Sequence, residues 1–275
     1  MSINIYRLTK KGNIPISSQS KTLDQITREL PQGFYTTFST LSNATRVLGL
    51  HMHLQRLYVP AVEQSIRPSV EEPLLRKQIA DLVKINLPHE SRVRLILSKK
   101  DGAIYVLTQP FEPLAKHIYE KGVRVITADL ARNSPNIKDT GFISSSVDQR
   151  KLVGGDVFEV LLAKNGKILE GMTSNFYGIR GNTLITAQRG ILPGVTRRVV
   201  LRLARGDGMS VEYRAPTVGE KLDEAFLTSS SRGVVPIVSI DGKPVGQGRP
   251  GDWTKTLSKA YQAYLKESSE AILQE

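Results

Sequence analysis

The stretch FLTSSSRGVVP, residues 226–236, places four consecutive hydroxyl side chains between two apolar runs. Apolar runs on either side of such a turn are typical of two buried strands. Hydroxyls at the exit of the first strand are suited to binding phosphate or carboxylate oxygens. They are equally suited to local turns with the backbone. The stretch therefore predicts a pair of strands and leaves the role of its hydroxyls open.

A second stretch, ILPGVTRR (residues 191–198), predicts a loop that leads into a helix. Pro193 and Gly194 form a tight loop, and the helix begins near Thr196. Free backbone N–H groups at a helix start, together with the helix dipole, bind anions and phosphate in particular. Thr196 adds a hydroxyl there, although threonine is also a common N-cap. Two stretches with phosphate-binding groups favour a phosphorylated ligand.

Two charged residues narrow the choice of ligand. Lys138 lies in the loop SPNIKDTGF, and Glu170 lies at the end of an apolar strand in KILEG. No G-x-x-x-x-G-K-[ST] is present and no G-x-G-x-x-G follows a strand, so nucleoside triphosphates and dinucleotides are not indicated. A lysine and a carboxylate beside a phosphate site suggest pyridoxal phosphate. Spacing alone leaves two alternatives open: a surface lysine and a strand-end carboxylate in solvent.

Composition places the chain among globular proteins. Its 275 residues are 40% hydrophobic and 23% charged, which is enough for one large domain or two modest ones. No apolar run approaches the roughly 20 residues of a membrane span, and MSINIYRLTKKGNIP lacks the apolar stretch of a signal peptide. The absence of cysteine excludes disulfides and thiolate sites, and the four histidines do not indicate a metal site. We expect a cytoplasmic protein without a metal or a membrane contact.

The formal net charge of +12 is compatible with an acidic partner, but its distribution favours none. Lysines and arginines are scattered, and the densest groups are TKK, RVRLILSKK and TRR. No long basic run and no RNA-binding motif is present. A solvated basic surface is therefore favoured over a nucleic-acid footprint, and we expect no nucleic-acid partner.

The hydrophobic pattern predicts a first domain at residues 1–117 and a second at 118–275. In the first, GFYTTFSTL (33–41) predicts a strand, Ser69 and Glu72 predict a capping box for a helix, and RVRLILS and AIYVLTQP predict a hairpin. In the second, a sheet meander is followed by the helix near Thr196, which we expect to stop at Gly206. An amphipathic helix is predicted from Asp252 to about Leu273.

Several motifs in a fixed order resemble the class IV aminotransferases. This pyridoxal-phosphate family of fold type IV includes branched-chain aminotransferases, D-amino-acid aminotransferases and 4-amino-4-deoxychorismate lyases. The resemblance covers nearly the whole chain and is densest from Lys138 to Gly251. The motifs are NIK, ILEGMTSNFYGI, LITA, GILPGVTRRVVL, LDEAFLTSSSRGVVPIVSIDG and GQGRPG.

The resemblance implies a mixed α+β or α/β fold of two domains with pyridoxal 5'-phosphate at the domain interface, usually in a homodimer. It implies that Lys138 forms the Schiff base and moves the proton at the substrate's α-carbon, and that Glu170 holds the pyridine nitrogen protonated. The residues that it assigns to the cofactor phosphate are Arg56 in HLQRL, Val195, Thr196 and Ser230. The residues that it assigns to the substrate are Tyr35, Thr37 and Ser231.

Two departures from the family pattern bear on the substrate. Thr36 and Thr37 follow Tyr35 where an acidic residue is common, and this is closer to the lyases. LSKKDG stands where the D-amino-acid enzymes carry an arginine, and lysine lacks its bidentate fork, so D-specificity is the least favoured.

Three hypotheses remain. The first is an aminotransferase acting on an amino acid, with branched-chain amino acids as candidates, and a 2-oxo acid. The second is a lyase that releases pyruvate and 4-aminobenzoate from 4-amino-4-deoxychorismate. The third is a basic nucleic-acid-binding protein without catalysis.

Overall fold

The computed structural model describes residues 2–273 and forms two compact units. The first unit comprises the described residues up to Glu112, the segment Ile137–Ser145 and the described residues from Ser268 onward. The second comprises Pro113–Asn136 and Ser146–Glu267. The domains at 1–117 and 118–275 stay a prediction, and the structure adds that the segment with Lys138 belongs to the first unit.

Strands and short helices alternate up to Glu112. In chain order they are β1 (Asn4–Thr9), β2 (Gly12–Ile16), α1 (Leu23–Glu29), β3 (Gly33–Leu41), β4 (Arg46–Val47), α2 (Leu50–Glu63), α3 (Glu72–Val83), a 3-10 helix (Lys84–Asn86), β5 (Ser91–Ser98) and β6 (Ile104–Pro110). The strand predicted over residues 33–41 and the β5–β6 hairpin are confirmed.

Strands dominate the rest of the chain. The elements are α4 (Lys116–Lys121), β7 (Val123–Asp129), α5 (Gly141–Ser145), α6 (Val147–Lys151), β8 (Val157–Lys164), β9 (Lys167–Gly171), β10 (Asn175–Arg180), β11 (Thr183–Thr186), α7 (Val195–Gly206), β12 (Ser210–Tyr213), β13 (Glu224–Ser229), β14 (Gly233–Ile240), β15 (Lys243–Pro244), α8 (Asp252–Glu267) and β16 (Glu270–Ala271). The strand pair predicted around the serine stretch is β13 and β14.

The first unit is built on an antiparallel sheet with the order β16–β4–β3–β5–β6–β1–β2. Successive side chains of a strand point to opposite faces. Phe34 and Phe38 of β3 accordingly pack in the core that includes α2 and α3. Tyr35 packs on the other face with Ile96 and Ile143. The alternation along β3 thus separates the structural core from the face that carries Tyr35.

The second unit is a mixed sheet whose strands close into a ring. The strands β10, β13, β14, β7, β8 and β9 pair in this order, and the pairing of Asn175 with Glu170 joins β9 back to β10. The strands β11 and β12 extend the sheet from β10, and β15 pairs with β14. Glu170 therefore lies where the ring closes.

Three helix ends differ from the sequence prediction. The helix α3 begins after Glu71 without a side-chain cap, because Ser69 Oγ accepts a hydrogen bond from the Ile104 N–H instead. The helix α7 includes Gly206 and is followed by Asp207 and the left-handed Gly208. The last helix ends at Glu267 and not near Leu273, because the next residues pair with β4 and Ile272 packs in the first unit's core.

Within residues 2–273, no helix combines the length and the apolar character that crossing a membrane requires. Over the same range no three histidine, aspartate or glutamate side chains form a cluster suited to a metal ion. The cytoplasmic location stays a prediction.

Candidate active site

The segment that carries Lys138 is tied to β3 by backbone hydrogen bonds. The Tyr35 N–H donates to the Lys138 carbonyl at 2.8 Å, and the Thr140 N–H donates to the Gly33 carbonyl at 2.9 Å. The Thr140 hydroxyl also accepts from the Gly33 N–H at 2.9 Å. A residue with a side chain does not fit at Gly33, because its Cβ would collide with the Leu97 carbonyl. The position of Lys138 is thus set by the main chain of the sheet.

The Lys138 side chain faces an aromatic ring. Its Nζ lies 4.9 Å from the centre of the Tyr35 ring, a distance at which a cation is attracted to the π system. The neighbouring Asp139 forms an ion pair with Lys99 and accepts a hydrogen bond from the Gly141 N–H at 2.6 Å. Lys99, the first lysine of LSKKDG, therefore forms an ion pair with the residue that follows Lys138.

Arg56 and Lys138 both act on a buried histidine. His53 Nδ1 lies 2.6 Å from Thr36 Oγ1, and both side chains are buried. Burial lowers the pKa of His53 well below its usual value, and the positive charges of Arg56, Lys138 and His51 lower it further. His53 is therefore neutral at physiological pH, on the opposite face of β3 from Tyr35.

The residues predicted to contact the substrate, Tyr35 and Thr37, share one face of β3 and one partner. The Arg94 guanidinium lies 5.2 Å from the centre of the Tyr35 ring, and its Nε donates to Thr37 Oγ1 at 3.2 Å. Arg94 is itself buried and held by Asp24 at 2.8 Å and Thr27 Oγ1 at 2.9 Å. Arg94 was not predicted as a site residue, although a charge inside the apolar strand RVRLILS was a usable signal.

Glu170 is a buried carboxylate with several donors, so the alternative of a solvent-exposed charge is wrong. Arg132 Nε donates to Glu170 Oε1 at 2.6 Å, and both side chains are at most 4% exposed. The Leu192 N–H donates to Oε2 at 3.0 Å, and Asn175 Nδ2 lies 3.4 Å from the same oxygen. Arg132 also donates to the Met172 carbonyl. These contacts fix the orientation of the carboxylate.

The start of α7 differs from an ordinary capped helix. Its N-cap is Gly194, without a side-chain cap, so the alternative in which Thr196 is the N-cap is wrong. A Cβ on Gly194 would collide with the Asn175 side chain. Val195 and Thr196 are buried in the first turn, and Thr196 Oγ1 has no hydrogen-bond partner within residues 2–273. Burial raises the pKa of Tyr261, and the nearby Thr196 hydroxyl partly opposes that effect.

The four hydroxyls of the serine stretch divide into two pairs. Thr228 is buried in β13, and its Oγ1 lies 3.1 Å from the Tyr177 hydroxyl. Ser229 Oγ accepts a hydrogen bond from Arg232 Nε at 3.0 Å. Both side chains thus serve the strand and the turn. Ser230 and Ser231 lie half-buried in the turn between β13 and β14.

Comparisons with known proteins decide the family. Residues 33–240 match the family model described as amino-transferase class IV. The chain belongs to the class IV aminotransferases. It is 31% identical over 251 residues to the D-alanine aminotransferase of Bacillus licheniformis, and the match covers 81% of this chain and 85% of that protein.

Solved structures agree with this assignment. A protein of Thermotoga maritima described as a "putative branched-chain amino acid aminotransferase" superposes with a TM-score of 0.81 at 27% identity, over 96% of both chains. The branched-chain aminotransferase of the archaeon Thermoproteus uzoniensis, solved with norvaline, has a TM-score of 0.77 at 21% identity. That match covers 98% of this chain and 99% of the archaeal one, and it shows the shared fold.

The predicted family, mixed α+β fold and enzyme class are confirmed. The predicted cofactor, pyridoxal phosphate, is the one that class IV aminotransferases use, and a solved structure of this fold contains pyridoxamine 5'-phosphate. The matches favour the aminotransferase over the lyase and over the nucleic-acid-binding hypothesis.

Proposed function

We propose that the enzyme transfers an amino group between an amino acid and a 2-oxo acid, with Lys138 as the residue that holds the cofactor covalently. The observation that carries the proposal is the buried Glu170 carboxylate, fixed by Arg132 in a chain of this family. When bound, pyridoxal phosphate supplies an aldehyde that the lysine amine binds and a ring that accepts electrons from the substrate's α-carbon. Once the substrate's amino group has displaced it from that aldehyde, the freed Lys138 amine would move the proton at the α-carbon.

The second unit offers groups that fit a phosphate. Thr196 Oγ1 is buried at the start of a 12-residue helix and has no hydrogen-bond partner in the part of the chain that the structure describes, and a phosphate oxygen would accept its hydrogen bond. The backbone N–H groups of Val195 and Thr196 and the helix dipole favour the same anion. Ser230 and Arg56 stay the other residues proposed to contact the phosphate, with a hydroxyl and a positive charge.

Glu170 fits the pyridine nitrogen. A carboxylate beside that nitrogen keeps it protonated, which strengthens the ring as an electron acceptor. Arg132 supports this role because it holds Glu170 in one orientation with a charge-assisted hydrogen bond. For the substrate, Tyr35, Thr37 and Ser231 stay the proposed contacts.

The amino donor is proposed from the relatives. Their names specify D-alanine and branched-chain amino acids, so we propose that the donor belongs to one of these two classes. The test is to incubate the purified enzyme with L- and D-amino acids, each with pyruvate or 2-oxoglutarate, and with 4-amino-4-deoxychorismate in parallel. Consumption of an amino acid with formation of a new one supports the proposal. Release of 4-aminobenzoate without transamination contradicts it.

We also propose a homodimer, on the pattern that the family resemblance implies, and a cytoplasmic location, as expected from the composition. Light scattering of the purified protein tests the oligomeric state, and a monomeric mass at working concentration contradicts it.

A further inference from the structure

Arg232 closes the β13–β14 turn two residues after Ser230, and its side chain reaches across to a second turn. Its Nη2 lies 2.7 Å from Glu159 Oε2 and 2.6 Å from Thr173 Oγ1. Its Nε donates to Ser229 Oγ at 3.0 Å within its own turn. One guanidinium thus joins the serine turn to a residue that follows β9.

The partner carboxylate organises that second turn. Glu159 of β8 is buried, with its side chain 3% exposed. Its Oε1 accepts from the Thr173 N–H at 3.0 Å, and its Oε2 accepts from Ser174 Oγ at 3.2 Å. The turn begins two residues after Glu170, the residue proposed to hold the pyridine nitrogen. Glu159 therefore ties down the chain immediately after Glu170.

Arg232 is also held along its stem and main chain. Its guanidinium lies 5.3 Å from the centre of the Phe158 ring, and its carbonyl accepts a hydrogen bond from the Tyr119 hydroxyl at 2.8 Å. Phe158 precedes Glu159 on β8, so two adjacent residues of one strand contact the Arg232 guanidinium. This number of contacts fixes a side chain that is itself only 19% exposed.

We propose that Arg232 and Glu159 are a positioning pair that sets the spacing between Glu170 and Ser230. The inference rests on the proposed function, in which these two residues bind the ring nitrogen and the phosphate of one rigid cofactor. A rigid ligand with two anchored groups binds tightly only if both anchors are already in place, because rearranging them on binding costs affinity. The pair therefore raises the affinity for pyridoxal phosphate without touching it.

The test measures the dissociation constant of pyridoxal phosphate from the apoenzyme, by titration, in Arg232→Gln, Arg232→Lys and Glu159→Gln. Arg124→Gln is the matched control, because Arg124 forms an exposed ion pair with Asp156 in the same unit. We expect Arg232→Gln to raise the dissociation constant about tenfold or more, Arg232→Lys to raise it less, and Arg124→Gln to leave it within about twofold. The melting temperature of each apoenzyme is measured in parallel.

The double variant Glu159→Gln/Arg232→Gln tests whether the two residues affect cofactor binding together or independently. If the two residues act as one pair, the double variant weakens cofactor binding no more than the stronger single variant. A folded Arg232→Gln variant that binds the cofactor like the wild type, with only a lower melting temperature, overturns the proposal. Failure of the proposed function is a different result, in which the wild type and Arg124→Gln do not bind pyridoxal phosphate.

Discussion

One ion pair of the molecule includes Glu170 and another adjoins Lys138, and the two pairs differ in their access to water. Arg132 and Glu170 of the second unit are 4% and 2% exposed, whereas Lys99 and Asp139 of the first are 36% and 22% exposed. Removing one partner of a buried pair leaves an uncompensated charge in a low dielectric, at a cost of about 3–5 kcal/mol. An exposed pair contributes about 0–1 kcal/mol.

The difference shows that the two units hold their functional side chains in different ways. The first unit places Lys138 by main-chain hydrogen bonds to β3, so the Lys99–Asp139 pair adds little to its position. In the second unit, the Glu170 carboxylate is held by hydrogen bonds that it accepts from Arg132 and from the Leu192 N–H. Arg132 is the charged donor of the two. Substitutions that break the two pairs should therefore differ widely in effect.

Replacing Glu170 itself should give the largest effect. We expect Glu170→Ala to stay loaded through Lys138 at saturating pyridoxal phosphate, with a raised dissociation constant, and to lower kcat by at least about a hundredfold, because an electrostatic group at the reacting system is lost. Steady-state kinetics measures this loss, with Glu212→Ala as a control for removal of an exposed carboxylate. Near-normal kcat in a cofactor-loaded Glu170→Ala enzyme removes Glu170 from its proposed role.

Replacing Arg132, the other member of the buried pair, should mainly lower the stability of the protein. We expect Arg132→Met to lower the free energy of unfolding of the apoenzyme by about 3–5 kcal/mol, since the buried Glu170 carboxylate then loses its charge-assisted hydrogen bond from Arg132. Urea denaturation measures the change. The double variant Arg132→Met/Glu170→Gln should recover part of the loss, and a double variant that is less stable than Arg132→Met argues against a charge effect.

A buried group of the first unit provides a pH test. The folded pKa of His53 lies well below 6.5 because of burial and nearby cations. As the pH falls below the unfolded value, the unfolded chain binds a proton that the folded chain does not, so stability is lost at about 1.4 kcal/mol per pH unit. Urea denaturation at pH 7 and pH 5.5 should show a larger loss for the wild type than for His53→Gln. The exposed His117→Gln is the control, and equal losses in all three proteins would falsify this assignment.

The exposed pair should give the smallest effect. We expect Lys99→Met to change the free energy of unfolding by less than about 1 kcal/mol and to leave the covalent binding of the cofactor intact. The two pairs are compared directly by measuring Lys99→Met beside Arg132→Met under the same conditions. Similar destabilisation in both variants contradicts the contrast drawn from their exposure.

Patterns within short stretches of the sequence were sufficient to predict most strands and helices. The apolar alternation of β3 and the β5–β6 hairpin were predictable because their signals lie within a few residues. The last helix was predicted too long, since the helical spacing continues to Ile272 although that residue packs in the first unit's core. Ser69 was assigned to a cap because its contact with Ile104 is distant in sequence.

The site was predictable only where a motif marks it. Lys138, Glu170 and the start of α7 were identified through motifs of a known family. Arg132 and Arg232 were missed because their partners Glu170 and Glu159 lie 38 and 73 residues away. A pair separated by such a distance leaves no periodic signal, and only the folded chain shows that the two charges meet.

The central claim is that Lys138 holds pyridoxal phosphate covalently. The most direct measurement is to load the enzyme with the cofactor, reduce it with borohydride, digest it and locate the modified peptide by mass spectrometry. The account predicts a single pyridoxyl label on Lys138 and no stable label in Lys138→Ala. A label on another lysine of the wild type, or none at all, contradicts it.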